Sequence, residues 1–256
     1  MTRIITIANQ KGGVGKTTTT VNIAAAMAQV GKSVLVIDMD PQGNATTALG
    51  IEHSEGTPGI YNVLTGETSL AEVITPCPDV PQLFGIPATI DLAGAEVELV
   101  STPNREHQLR EEIEKLLRTA HFDYIFLDCP PSLGLLTLNG LVAAREVLLP
   151  IQCEYYALEG LAQLLKTVDM IKEHLNPELY VTAIILTMYD GRTRLASQVA
   201  DEVRSHFGAR VLETIIPRNV RVSEAPSYGQ TVLTYDPASA GAVSYREAAA
   251  QLNRIQ

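Results

Sequence analysis

The chain has 256 residues, 46% of them hydrophobic, and a formal net charge of −10. That length suits one sizeable α/β core or at most two small domains. Three scattered cysteines without a C-x-x-C pair, and five histidines without H-E-x-x-H spacing, exclude a disulfide framework and the common zinc signatures. No apolar run approaches the roughly 18 residues of a membrane span. The start, RIITIA, reads as a strand and not a signal peptide, so a soluble cytoplasmic protein is expected.

In chain order, apolar runs alternate with helical patterns. Ile4–Ala8 reads as a strand. Residues 16–30 read as a helix rich in small apolar side chains, stopped by Gly31 in a left-handed cap. Val34–Ile37 reads as a second strand. Residues 52–103, with several Pro and Gly, read as an irregular insertion of short helices and an edge strand. Residues 104–119 place Leu109, Ile113, Leu116 and Leu117 on one stripe, with Glu111–Lys115 and Glu114–Arg118 as pairs on the wet side. Further strands are expected at Tyr124–Leu127, Val147–Ile151, Val181–Leu186 and Val211–Ile216. Helices are expected at 157–174, 195–207 and 242–255, the last aligning Tyr245, Ala248, Ala249, Leu252 and Ile255. Nearly continuous Val, Ile and Leu is the mark of parallel strands covered on both faces. The alternation therefore predicts an α/β fold, a doubly wound, mostly parallel sheet, as a single domain over residues 1–256.

The stretch ANQKGGVGKTTTT, residues 8–20, carries the chemistry. It ends as a phosphate loop of the G-x-x-x-x-G-K-[S/T] type should, but Gln10 stands where the first Gly belongs, and a second lysine, Lys11, follows. Gly12, Gly13, Val14 and Gly15 lie between a strand and a helix, where backbone N–H groups can turn onto phosphate oxygens. Lys16 is expected on the β- and γ-phosphates of a nucleotide, Thr17 on Mg2+ and Thr18 on the α-phosphate. VLVIDMDPQGN puts Asp38 and Asp40 at the C-terminal end of the second strand, the edge at which open α/β sheets bind ligands. YIFLDCPPS puts Asp128 after four apolar residues, as a Mg2+-holding carboxylate. Asp40 is a candidate to orient or deprotonate the attacking water, or else to cap the helix that begins near Asn44.

KGGVGKTT, DMDPQGN and FLDCPPSLG, in that order, resemble the deviant Walker A P-loop NTPases. Further stretches, PIQCEYYALEGLAQLL, LTMYDGRT, IPRNVRVSEAPSYGQ and YDPASAGAVSYREAA, are similar to the ParA/Soj partition ATPases within that group. The resemblance covers nearly the whole chain. It implies an ATPase whose Mg-ATP form is a homodimer sandwiching two nucleotides, with Lys11 crossing to the partner's ATP; the alternatives for Lys11 are solvent and its own nucleotide. It implies weak hydrolysis to ADP and phosphate, stimulated by a ParB-type centromere-binding protein, and cycling on nonspecific double-stranded DNA at the nucleoid. Pro217 and Asn219 resemble the adenine-contacting segment, with Met188 packed nearby. Arg192 and Arg221 match DNA-binding positions, and Arg218 matches either role. The charge distribution leaves room for that: residues 1–180 hold 11 basic and 22 acidic side chains, but residues 181–256 hold 8 and 7, every basic one Arg. A MinD-like membrane-surface regulator is the rival. It would need a basic amphipathic tail, and GAVSYREAAAQLNRIQ has only Arg246 and Arg254.

Overall fold

Seven strands and twelve helices follow one another along the chain in the computed structural model, which describes residues 1–155 and 157–255. The strands are β1 (Arg3–Ile7), β2 (Val34–Asp38), β3 (Thr75–Pro76), β4 (Leu83–Ile86), β5 (Tyr124–Asp128), β6 (Glu146–Gln152) and β7 (Tyr180–Thr187). The helices are α1 (Lys16–Gln29), α2 (Asn44–Ala48), α3 (Ile60–Leu64), α4 (Leu70–Val73), α5 (Leu92–Glu98), α6 (Gln108–Leu116), α7 (Leu135–Ala143), α8 (Ala157–His174), α9 (Arg194–Phe207), α10 (Val220–Glu224), α11 (Val232–Tyr235) and α12 (Ala240–Arg254).

The strands form one sheet in the order β3-β4-β2-β5-β1-β6-β7, parallel except for β3 at the edge. Side chains alternate across each strand. Ile5, Ile7, Val34, Val36 and Phe126 face a core shared with α1 and α12. Leu35, Ile37, Ile125 and Leu127 face α3 to α7, and Val147, Leu149, Ile184 and Leu186 face α8 and α9. Both faces are covered, so the strands read as continuous apolar runs and not as alternating ones. β1 lies between β5 and β6, with Arg3 in register with Tyr124 and Ile7 with Asp128. The loops after β1, β2 and β5 therefore meet at the C-terminal end of the sheet, beside its centre.

The expected elements stand with four corrections. Val211–Ile216 is not a strand. Leu212 N and Ile216 N each donate to β7 carbonyls, at 2.9 and 2.8 Å, but Thr214 between them turns to the Gln251 side chain of α12 instead. Only isolated bridges at Val211 and Pro217 remain. The helix expected from residue 104 begins at Gln108, because Asn104 sits at φ 52 and closes a turn with His107. On that helix Glu111–Lys115 and Glu114–Arg118 give way to Arg110–Glu114 and Glu112–Lys115. The insertion contains not only the edge strand β3 but also β4, paired in parallel with β2. Cys77, Cys129 and Cys153 are free and buried. In the stretch at 150–165, Tyr156 lies outside the described residues.

Candidate functional site

The phosphate loop runs from the end of β1 to the start of α1, and its glycines explain its spelling. Gly13 (φ 74) and Gly15 (φ 85) occupy the left-handed region that other L-residues avoid, and this curls the loop over the helix end. Asn9 fixes its entry: its amide donates to Pro150 O at 2.8 Å and its carbonyl oxygen accepts from Lys11 N at 2.9 Å. Val14 is buried, and its carbonyl oxygen accepts from Thr187 Oγ1 at 2.8 Å. That bond ties the loop to the end of β7, where Met188 is held at φ 51, an uncommon conformation for a non-glycine residue.

A cavity of about 510 Å³ opens over the loop. Gly12, Gly13, Gly15, Lys16, Thr17 and Thr18 form one end. Val222, Ala225, Pro226 and Val232, from the chain after residue 220, form an apolar end, and Asp40, Gln42, Pro131 and Met188 complete the wall. A polar end of backbone amides and an apolar slot suit a phosphorylated ligand with a flat base. Among the described residues, Pro217 and Asn219 do not line this cavity. Asn219 instead caps α10, accepting from Arg221 N at 2.8 Å, and Pro217 bridges to Tyr189. The apolar slot was not expected from sequence. Its one legible signal is Val222, Ala225 and Pro226, within the stretch IPRNVRVSEAPSYGQ.

Two buried carboxylates stand side by side beneath the loop. Asp38 and Asp128 end β2 and β5 as register partners. Burial pushes Asp38 up to about 6. Burial, and then the charge of Asp38, push Asp128 up to about 7. Asp38 accepts from Thr46 N and Thr46 Oγ1, at 2.8 and 2.7 Å, so it anchors α2. Asp128 accepts from Thr17 Oγ1 at 2.7 Å and from Thr20 Oγ1 at 2.8 Å. Lys16, also buried, reaches Lys11 O at 3.2 Å. Desolvation lowers its pKa, while Asp128 and Asp40 pull the other way. Two buried carboxylates here share one lysine, and a divalent cation would favour their charged forms, which burial alone disfavours.

Thr20 had gone unnoticed in the run of threonines. It lies one helical turn beyond Thr17, on the same side of α1, and fixes the second oxygen of Asp128. Thr20→Val is expected to lower stability by about 2 kcal/mol, because a buried hydrogen bond to a charged group is lost. Thr20→Ser should restore it. Urea unfolding of the three proteins checks this, and a native-like midpoint for the valine variant would refute it.

Asp40 lines the cavity, and its Oδ1 accepts from Gln42 N at 3.0 Å. It does not cap α2, whose N-cap is Gly43 in the left-handed region. Lys11 points elsewhere: its Nζ is 2.7 Å from Glu154, with both side chains about half exposed. Arg192 is held by Asp190 through two bonds of 2.8 and 2.7 Å, and Arg221 by Glu224 at 2.9 Å. Arg218 is exposed, and its backbone N–H donates to Tyr189 O at 2.9 Å, which brings the Arg192 loop beside the Arg218–Arg221 segment.

Comparison with known proteins places this geometry. A family model described as an AAA domain matches residues 2–181. The sporulation initiation inhibitor protein Soj of Bacillus subtilis is 51% identical over 98% of this chain and 98% of its own length. The chromosome partitioning protein ParA of Myxococcus xanthus is 53% identical over 95% of this chain and 85% of its own. Among solved structures, cobyrinic acid a,c-diamide synthase from Mycobacterium smegmatis with bound ADP and magnesium is 38% identical, with a TM-score of 0.85 over 99% of this chain and 95% of that one. With half of its residues shared along almost its full length, this chain belongs to the Soj/ParA family of chromosome-partitioning ATPases.

Proposed function

We propose that this chain is an ATP-driven switch for DNA partition. Mg-ATP closes a homodimer, the dimer binds nonspecific double-stranded DNA at the nucleoid, and hydrolysis, stimulated by a ParB-type partner, releases it. The observation that carries the reading is the position of Lys11. Its side chain is outside the wall of the chain's own nucleotide cavity and rests on an exposed carboxylate, from which a second subunit's phosphates can draw it.

The residues present fit ATP and Mg2+. Lys16 and the loop amides would neutralise the β- and γ-phosphates. Thr17 and Asp128 would hold the metal ion, and Thr20 keeps Asp128 in place. Among the described residues no three His, Cys, Asp or Glu side chains form a metal cluster. The ion would therefore take most of its ligands from phosphate and water, as Mg2+ does at nucleotide sites. When bound, it supplies charge neutralisation on the phosphates. Asp40, in the cavity wall, orients the attacking water and accepts its proton. Lys11 from the second subunit completes the positive surround only in the closed dimer, so association and hydrolysis are coupled.

The DNA face is supported by the neighbouring loops that carry Arg192, Arg218 and Arg221. The membrane rival is not favoured: α12 buries Tyr245, Ala248, Ala249 and Leu252 against the core shared with α1, so its apolar stripe is already used. The test is binding to random-sequence duplex DNA in Mg-ATP and in Mg-ADP, with particle size measured on the same samples. The native protein should dimerise and bind DNA only in ATP. Lys11→Ala should lose both, and Arg221→Ala should lose DNA binding alone, by about tenfold or more. A native protein that stays monomeric in ATP would refute the switch.

A further inference from the structure

One arginine of the proposed DNA face, Arg221, is tied to carboxylates in this structure. Arg221 donates to Glu224 Oε2 at 2.9 Å, and its Nε lies 3.4 Å from Asp236 Oδ2. Tyr235 Oη reaches the same Glu224 oxygen at 3.4 Å, and Tyr235 stacks on Tyr228 with ring centroids 5.0 Å apart. One positive charge thus faces two negative ones, so Arg221 adds no net positive charge at this corner of the face. The glutamate comes from the same short helix as the arginine, whereas the aspartate comes from the segment that follows α11.

That helix, α10, has a second face. Val222 lines the nucleotide cavity, as do Ala225 and Pro226 just after the helix. Val222 is also pressed from behind: a Cβ on Gly241 at the start of α12 would lie 2.3 Å from its Cγ2. The helix has little room to move away from a base entering the slot without shifting as a body. Asp236, by contrast, belongs to a segment tied to α1, since Val232 N donates to Asn22 Oδ1 at 2.9 Å. A shift of α10 relative to that segment changes the distance between Arg221 and Asp236.

We propose that Glu224 and Asp236 are built-in counterions that hold Arg221 back from DNA phosphates, and that α10 makes the grip of Asp236 depend on what fills the nucleotide cavity. This rests on the DNA-partition reading and adds the regulation of its DNA face. Exposed ion pairs are individually weak, so the brake yields to the dense charge of a duplex once the geometry loosens. While it holds, two carboxylates next to the contact disfavour an incoming phosphate.

The experiment is DNA binding by fluorescence anisotropy, in Mg-ATP and in Mg-ADP. It compares the native chain, Glu224→Gln with Asp236→Asn, the same pair with Arg221→Ala, and Arg221→Ala alone. Melting curves confirm that each variant is folded, and Asp236→Asn alone serves if the double variant is not. The double variant should bind duplex on the order of tenfold more tightly, from the two like charges removed. The gain should be larger in ADP, so that the ratio of affinities between the two nucleotides narrows. Adding Arg221→Ala should cancel the gain. Unchanged affinity would overturn the proposal, as would a gain that persists without Arg221, since that would be bulk charge. An equal gain in both nucleotides would overturn the link through α10. A native chain that ignores DNA in both nucleotides would instead sink the partition reading itself, and this inference with it.

Discussion

Asp40→Ala is expected to slow ATP turnover about 100-fold or more while leaving ATP affinity close to native. Its carboxylate stands in the cavity wall and accepts one local bond, from Gln42 N. The helix that follows does not depend on it, because Gly43 begins α2 and Asp38 anchors it through Thr46. A carboxylate with so little structural employment, in the wall of the cavity that Lys16 also lines, is the one the proposed mechanism assigns to water. Asp40→Asn keeps the turn bond and loses the base, so it should be nearly as slow as the alanine variant. Single-turnover rates and equilibrium ATP binding separate the two steps. Native turnover in Asp40→Asn would remove Asp40 from the chemistry.

Lys16→Ala should cost still more, about 1000-fold in turnover together with weakened ATP binding. Among the described residues it is the one Lys or Arg in the cavity wall. Its folded role is slight: the amine gives one bond to a backbone carbonyl and is penalised by its own burial. The nucleotide-free variant should therefore melt no lower than the native protein, and stabilisation by added ATP should disappear. Calorimetry with and without ATP checks both. A variant that melts well below native without nucleotide would mark Lys16 as structural.

What the sequence discloses depends on how locally each feature is made. The loop, Thr17, Asp38 and Asp128 are legible as short motifs at strand ends, and the sheet sets Asp38 beside Asp128 with Thr17 2.7 Å from the latter. Strand β4 has only four residues and lies among prolines and glycines, so its apolar signal is brief. Val211–Ile216 has the composition of a strand, but a glutamine on α12, distant in sequence, captures its middle backbone amide. Helix α7 is apolar on all sides and carries Asn139 and Gly140, so it shows no stripe. The counterions divide the same way. Glu224 stands one turn from Arg221 and could be read from spacing. Glu154 lies 143 residues from Lys11, and only the fold brings them together.

The order of strands also bears on how the protein is born. The nucleotide loop is made before the strands that support it, and β1 must wait for β5, with Arg3 opposite Tyr124. At synthesis rates of roughly 5–20 residues per second, that wait lasts on the order of 10 s. β6 comes later still, and α1 is buried against α12, more than 200 residues further along the chain. Pairings so distant along the chain are slow to form. The loop is therefore made early and becomes usable late. A nascent chain that carries the phosphate loop but not yet α12 leaves that side of α1 uncovered, so firm nucleotide capture should wait until α12 has packed.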